Sequence, residues 1–303
     1  MTGPEASRTA RRTRHAVGQV LLSSRPISWI NTAFPFAAAY LLTTGEVDAL
    51  LVVGTLFFLV PYNLLMYGVN DVFDYESDLR NPRKGGAEGA LLDPGLHRAV
   101  VWAGVVTAAP LVAAMLWLAG TSHPSSWVVL AISLFAVFAY SVPGLRFKER
   151  PLLDSVTSST HFVSPAVYGL AVAGAEFTWP LVALLTAFFL WGIASHAFGA
   201  VQDVIPDREA GIASVATAFG AAATVRMALA FWTAAGLLML ATEWPGPLAA
   251  LLVLPYLRAA WPYRSVTDAA SGESNRGWRR FILINYAVGF AVTLLMIWWA
   301  LVR

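Results

Sequence analysis

Residues 50–78 read "LLVVGTLFFLVPYNLLMYGVNDVFDYESD". The run from Leu50 to Tyr67 is apolar enough to sit in lipid, yet Asp71, Asp74, Glu76 and Asp78 crowd into the eight positions that end the stretch. Carboxylates at the edge of an apolar helix are costly to place and mark functional positions by default. This one stretch therefore predicts both a membrane fold and a polar site at a helix end.

The rest of the chain agrees with the membrane reading. Of 303 residues, 57% are hydrophobic and only 13% charged, against about 25% charged in a soluble domain. Mean hydropathy is +0.62. Cysteine is absent, which excludes disulfides, thiolate nucleophiles and thiolate metal sites. Residues 1–24 are polar and Arg-rich. Arg11-Arg12 could open a twin-Arg export signal, but the apolar segment after it continues into a full span, so an uncleaved basic cytoplasmic tail is expected.

A membrane helix needs about 20 apolar residues. On that template the sequence predicts nine spans, at 26–43, 48–69, 99–119, 126–143, 153–173, 178–201, 214–241, 246–263 and 280–301. Short Pro, Gly and polar clusters such as "TTGEVD", "TSHPSS" and "TEWPGP" separate them. The expected architecture is an all-α integral membrane protein, with residues 25–303 forming a single domain of nine helices around a central chamber. Of the 20 Lys and Arg residues, 18 fall in the N-terminus through Arg25 or in alternate connections, and the loops near 44–47, 120–125, 174–177 and 242–245 hold none. Because cytoplasmic loops carry the Lys/Arg excess, the N-terminus is expected inside and the C-terminus outside. A cell-membrane location follows, with no nucleic-acid partner.

That orientation puts "VNDVFDYESD" and a second acidic stretch, "AVQDVIPDREAG" at 200–211, on the cytoplasmic side. If the helix continued unbroken, with Asn70 at zero, Asp74 would lie at about 40°, Asp78 at about 80° and Asp71 at about 100°. Asp203 and Asp207 would likewise share a face. Oxygen ligands without His or Cys favour Mg²⁺, which takes one or two carboxylates, waters and phosphate oxygens. Glu76 points away and reads as a solvated bystander.

Cations flank these acids: Arg83 and Lys84 in "NPRKGG", Arg146 and Lys148 in "YSVPGLRFKERP", Arg208 after Asp207, and Arg25 opening the first span. Metal bridging acids to phosphates, with basic side chains on the remaining charge, suits a diphosphate. Arg80 and Arg150 fit the positive-inside bias alone. The glycine-rich segment 85–95 reads either as a lid or as a connector.

"NDVFDYESD" resembles the N-D-x-x-D-x-x-x-D motif of the UbiA superfamily of intramembrane prenyltransferases. "QDVIPD" resembles its second, D-x-x-x-D, motif, with Ile205 and Pro206 where another acid often stands, and "YSVPGLRFK" resembles its basic stretch. Within the superfamily, "SRPISWINTAFPFAAAYLL", "PYNLLMYGVNDVFDYESDLRNPRKGG" and "SHAFGAVQDVIPDREAGIAS" are similar to the lycopene elongases of carotenoid synthesis. The resemblance implies Mg²⁺ held on Asn70, Asp71, Asp74, Asp78, Asp203 and Asp207, binding dimethylallyl diphosphate. It implies an allylic cation attacked by the terminal double bond of lycopene, then proton loss or water capture, with C45 and C50 products. It also implies working beside other carotenoid enzymes in the lipid.

Aromatic faces stabilise cations. Tyr67, Phe73 and Tyr140 are candidates to line the chamber, beside Trp29 and Tyr62, although aromatics in such helices also serve as packing. His161 and His196 are each either a proton acceptor or a helix-to-helix hydrogen bond. His196 lies two turns before Asp203 on the same face. Asn31 and Asn63 either join helices or face the chamber.

Three rival functions fit less well. Prenylation of an aromatic acid or a quinone or haem precursor would want a cation deep in the chamber, and Arg226 is far from both motifs in sequence. A transporter would place acids near mid-membrane. A lipid phosphotransferase should carry an Asp-Gly…Ala-Arg signature, which "NDVFDYESD" lacks.

Overall fold

Pro61 decides the shape of the helix that carries the first motif. Proline has no N–H to donate and its ring crowds the preceding turn. Helix α1 (Pro4–Ser23), α2 (Ile30–Thr44) and α3 (Ala49–Leu59) are followed at Val60, with φ −117°, by a break. A short turn α4 (Pro61–Asn63), a π-turn at Leu64–Gly68, α5 (Val69–Phe73) and α6 (Tyr75–Asp78) come next. The expected unbroken helix is thus corrected to a segmented one.

Buried Asn63 reaches back across the break. Its amide Nδ2 donates to the carbonyls of Phe58 (2.9 Å) and Leu59 (3.0 Å) and to Thr32 Oγ1 (2.7 Å). The Thr32 hydroxyl donates in turn to the Phe58 carbonyl at 2.6 Å. Side-chain hydrogen bonds to the backbone beside a proline are one of the ways such breaks are tolerated in lipid. Asn63 therefore joins α2 to the broken helix.

This computed structural model describes residues 4–79 and 91–302. The remaining elements are α7 (His97–Ala119), α8 (Pro124–Ser141), α9 (Leu153–Val172), α10 (Trp179–Val201), α11 (Val204–Glu209), α12 (Val215–Phe219), α13 (Ala221–Met239), α14 (Leu254–Ala260) and α15 (Asn275–Leu301), with short 3₁₀ turns between some of them. No strand occurs among the described residues.

Among the described residues, six segments are long and apolar enough to span a bilayer: Ala49–Phe73, Pro94–Ala119, Pro124–Ser141, Trp179–Val201, Ala221–Met239 and Asp268–Leu301. The other three expected spans are also helical, but they depart from the simple template. Helix α2 has only 15 residues. Helix α9 opens on a polar run whose Asp154, Ser155, Thr157, Ser159 and His161 are all buried. The stretch before α14 is a 3₁₀ helix, Gly246–Val253.

The chain divides into two units, Met1–Arg146 with Ser164–Gly174, and Phe147–Val163 with Ala175–Arg303. With lipid as solvent there is little hydrophobic drive between helices, so close packing must hold each unit together. In the first, Phe36, Phe57, Phe58, Tyr62 and Tyr168 form an aromatic cluster, with ring centroids 4.8 Å apart for Phe57–Phe58 and 5.2 Å for both Phe36–Phe58 and Phe58–Tyr62. Gly169 allows α9 to lie against α2, because a Cβ there would come within 2.8 Å of the Phe36 carbonyl oxygen. In the second, Phe198, Trp232, Tyr256 and Phe281 are the buried centre, with Tyr256 and Phe281 centroids 5.4 Å apart.

The "TTGEVD" connection behaves as its residues dictate. Gly45 takes φ 71° after α2, and its N–H closes on the Leu41 carbonyl at 2.8 Å. Asp48 then caps α3 by accepting from the Leu51 N–H (2.9 Å) and from the Tyr40 hydroxyl (2.7 Å).

Candidate active site

The first acidic motif begins one residue after the π-turn. Gly68 lets α7 approach there, since a Cβ would meet Val100 Cγ1 at 2.8 Å. The motif leaves the apolar segment with Asp71 and Asp74 buried, at 1% and 7% exposure. Buried carboxylates require compensating charge, and two arginines supply it.

Arg25 lies where α1 has ended and its backbone turns left-handed, φ 50° and ψ 75°. Its Nη2 donates to Asp71 Oδ1 at 3.0 Å, and its guanidinium stands 4.3 Å over the Tyr67 ring. Its Nε–H is buried without a hydrogen-bond partner among the described residues.

Arg146 arrives by a second unusual turn. After α8, Val142 is extended, Gly144 takes φ 92° and Arg146 itself φ 39°. This brings Arg146 Nη2 to 3.7 Å from Asp74 Oδ1. Asn70 holds the other oxygen: its Nδ2 donates to Asp74 Oδ2 (2.8 Å) and to Ser141 Oγ (3.0 Å). Both amide hydrogens are thereby used, and the group that Asn70 has left is a carbonyl oxygen, a hard donor. The structure joins Asn70 to Asp74, one helical turn apart, while Asp71 is engaged separately by Arg25.

The helix breaks at Asp74, φ −99° and ψ −1°. The Asp78 side chain, Arg83 and Lys84 lie outside what the structure describes. Tyr140 and Lys148 are half-buried, and Phe73 is 39% exposed.

In the second unit, α10 ends at Val201 and Asp203 occupies the N-cap of α11. Asp203 and Asp207, both half-buried, are joined through the backbone, the Asp207 N–H donating to the Asp203 carbonyl at 2.9 Å. The Ile212 N–H donates to the Asp207 carbonyl at 2.8 Å. Arg208 is engaged elsewhere: its guanidinium donates to Asp268 Oδ2 (2.7 Å) and to the Thr217 carbonyl (3.0 Å). Asp268 also accepts from the Ala221 N–H at 2.7 Å. Arg208 therefore ties α11 to the start of α13.

His196 Nδ1 lies 3.1 Å from Ser155 Oγ. Beside it is a residue that the sequence marks only as a helix start, Asp154. This fully buried carboxylate accepts from the Ser155 N–H (2.7 Å) and hydroxyl (3.3 Å) through Oδ1, and from the Val215 N–H (2.7 Å) through Oδ2. The only signal in the sequence is an acid standing among Ser and Thr at the mouth of an apolar helix. His161 is buried in the same helix.

Among the described residues, no group of three or more His, Asp or Glu side chains is placed to hold a metal ion. Each unit offers carboxylate pairs and amide oxygen. That donor set fits Mg²⁺, which binds through one or two carboxylates and completes its shell with water and phosphate oxygens.

Comparison with known proteins agrees with this chemistry. The UbiA prenyltransferase family matches residues 32–285. The chain is 56% identical over 281 residues to the C(50) beta-cyclic carotenoids biosynthesis protein LbtBC of a Dietzia species, covering 92% of this chain but spanning only 64% of that protein. It is 48% identical over 278 residues to the lycopene elongase/hydratase of Corynebacterium glutamicum, covering 92% of this chain and 96% of that one. Among solved structures, a UbiA homologue from Archaeoglobus fulgidus bound to DMAPP and Mg²⁺ superposes with a TM-score of 0.64 at 19% identity, over 89% of this chain and 98% of that one. A structure of digeranylgeranylglyceryl phosphate synthase gives 0.65 at 13% identity, over 93% and 99%. With its fold, its acidic motifs and relatives matched over most of its length, this chain belongs to the UbiA prenyltransferase family.

Proposed function

We propose that the protein is a lycopene elongase: it transfers a dimethylallyl group from its diphosphate to the ends of lycopene, giving C45 and then C50 carotenoids. The observation that carries this reading is the 48% identity to a lycopene elongase/hydratase over 96% of that protein's length. The buried carboxylates of the first motif, each with its own arginine, support it chemically.

In this reading Asn70, Asp71, Asp74, Asp78, Asp203 and Asp207 hold Mg²⁺. The bound metal supplies positive charge to the diphosphate as the allylic C–O bond breaks and the leaving group takes the electron pair. Arg25, Arg83, Lys84, Arg146 and Lys148 take the remaining diphosphate charge. Arg208, engaged by Asp268 and Thr217, we assign to holding α11.

The terminal double bond of lycopene then attacks the allylic carbon, forming the new C–C bond and a tertiary cation. Tyr67, Phe73 and Tyr140 face developing positive charge with their π-systems, which are worth about 0.5–2 kcal/mol each. Tyr67 already does this for the Arg25 guanidinium. His196 or His161 accepts the proton, or water is captured. If the Ser155 hydroxyl donates to Asp154, it accepts from His196 Nδ1–H and leaves Nε2 as the basic nitrogen.

We further propose that residues 25–303 form one membrane domain of nine helices around a central chamber, following a basic tail at 1–24. The tail lies in the cytoplasm and the C-terminus outside, so that the site opens on the cytoplasmic face of the cell membrane. The 18 of 20 Lys and Arg residues on alternate connections support this orientation. Further carotenoid enzymes are the expected partners.

The test is the pigment mass from membranes that make lycopene, with this protein or its D71A/D74A variant. New C45 or C50 species, lost in the variant, are expected, and an added oxygen would mark hydration. Unchanged lycopene from folded protein supplied with Mg²⁺ and dimethylallyl diphosphate would overturn the acceptor and direct attention to aromatic acids.

A further inference from the structure

Residues 258–280, running from α14 into α15, carry five arginines, Arg258, Arg264, Arg276, Arg279 and Arg280, against two acids, Asp268 and Glu273. All five arginines are exposed, and none forms an ion pair among the described residues. Asp268 is already engaged by Arg208 and the Ala221 N–H. Close packing of α15 on the end of α14 draws the cations together. A Cβ on Gly277 would come within 2.5 Å of Tyr263 Cε2 and 3.2 Å of the Ala259 carbonyl oxygen. Arg226 joins from α13, its Nη1 donating to the Arg264 carbonyl at 3.4 Å.

We propose that this patch binds the phosphate headgroup of an anionic membrane phospholipid whose acyl chains lie along α15. The site goes beyond the prenyl-transfer reading and stands without it.

Helix α15 is unbroken from Asn275 to Leu301, so its positions can be placed at about 100° per residue. With Arg276 at zero, Arg279 lies at about −60° and Arg280 at about 40°, while Leu283, Phe290, Leu294 and Leu301 fall between about −40° and 0°. One face therefore carries guanidiniums at its start and large apolar side chains from there on. Those side chains are uncovered, Leu283 being 70%, Phe290 65% and Leu301 80% exposed. Of the six segments long enough to cross a bilayer, Asp268–Leu301 is the least enclosed, with 6% of its apolar stretch buried against 22–61% in the others. Charge above and bare hydrocarbon below match the outline of a phospholipid.

The level of the headgroups is marked beside the patch. Trp261 is 56% exposed, and tryptophan is enriched at the membrane–water interface. The Arg264 guanidinium stands 4.6 Å over its ring and donates to its carbonyl at 3.0 Å.

A positive-inside bias asks only that cations lie in this connection. It does not require Arg276 to stand three and four residues from Arg279 and Arg280, where like charges on a helix repel. A phosphate among them turns that repulsion into attraction, and guanidinium binds phosphate through paired hydrogen bonds. A second copy of the chain fits the face poorly. Held to the same orientation in the bilayer, it would present the same arginines across a two-fold contact.

The experiment uses the full chain in detergent, titrated with phosphatidylglycerol or with phosphatidylcholine of the same acyl chains, with bound lipid counted by native mass spectrometry. Wild type should hold phosphatidylglycerol at least about tenfold more tightly, as several arginines acting on one headgroup predict. R276Q/R279Q/R280Q should bind the two lipids within about twofold of each other, whereas R11Q/R12Q/R14Q, which removes the same charge from the N-terminal tail, should keep the wild-type preference. If the first triple variant does not fold, R279Q/R280Q should lose part of the preference.

No headgroup preference in wild type, or equal loss in the two triple variants, overturns the inference. Displacement of the lipid by inorganic phosphate at matching concentration would overturn it in favour of a free anion. A lipid-free dimer broken by L283R would overturn it in favour of a second copy.

Discussion

Replacing Asp154 with Asn changes no atom's position and little volume, yet it should be among the more damaging isosteric changes in this protein. The reason is the pattern of donors. Oδ1 accepts from the Ser155 N–H and Oδ2 from the Val215 N–H, both at 2.7 Å. An amide has one acceptor and one NH₂ group, so either orientation points hydrogens at a backbone N–H. Flipping the amide moves the conflict without removing it. Hydrogen bonds to a charged group are worth about 1.5–3 kcal/mol, and a buried N–H left unsatisfied costs about 1–3 kcal/mol.

One bond to the carboxylate lost and one donor stranded therefore predict a destabilisation of about 3 kcal/mol, the remaining oxygen keeping its neutral hydrogen bond. Reversible unfolding of the detergent-solubilised protein, followed by tryptophan fluorescence, measures this directly. Because Val215 opens α12 just beyond the loop in which Ile212 bonds the Asp207 carbonyl, D154N should also raise the Mg²⁺ concentration needed for half-maximal turnover. A D154N protein within about 0.5 kcal/mol of wild type, the range of an uneventful surface change, would refute the reasoning and reduce Asp154 to a helix start.

Three further outcomes follow from contacts described above. Asn63→Ala should cost about 2 kcal/mol, and a double-mutant cycle with Thr32→Val should show coupling of about 0.6 kcal/mol, the average for hydrogen bonds between membrane helices, and no more than about 1.7; no coupling would mean the two act separately. Gly192→Ala should cost about 1–3 kcal/mol by overpacking, since its Cβ would collide with Ser159, and Ser159→Ala in that background should recover part of the loss in a thermal unfolding assay. Arg208→Gln should alter stability by no more than about 1 kcal/mol, as befits an exposed ion pair, and leave KM for dimethylallyl diphosphate unchanged, whereas Arg146→Gln should raise it; a raised KM in R208Q would return Arg208 to the diphosphate site.

The parts of this protein that composition and periodicity control are legible in the amino-acid sequence alone. Apolar runs set where helices lie, and the acids at their ends mark both motifs. What escapes such a reading are features set by single residues acting on the backbone. The angular arithmetic that put Asp78 on one face with Asn70 and Asp74 assumes an unbroken helix, and the break at Asp74 removes that assumption.

Long-range polar pairings are equally hidden. Arg25 meets an acid 46 residues away and Arg208 one 60 residues away, and charge counting treats every such cation alike. Asp154 escapes notice because its main partners are backbone N–H groups, which leave no trace in a pattern of side chains. Arg83, Lys84 and the Asp78 side chain stay as the sequence left them.

The π-turn at Leu64–Gly68 has an evolutionary meaning as well as a local one. A turn that holds one residue more than the α-helical count acts as a phase shifter in the chain. Upstream, residues 49–59 answer to lipid and can drift with the thickness and composition of the membrane. Downstream, Asn70, Asp71 and Asp74 answer to chemistry and must keep their heading. A slack element between the two allows a lineage to change its membrane without re-aiming its carboxylates. By the same logic, deleting a single residue within 64–68 would close the π-turn to an ordinary α-helical turn and leave all three near their present heading, whereas the same deletion in regular helix would swing whatever follows by about 100°.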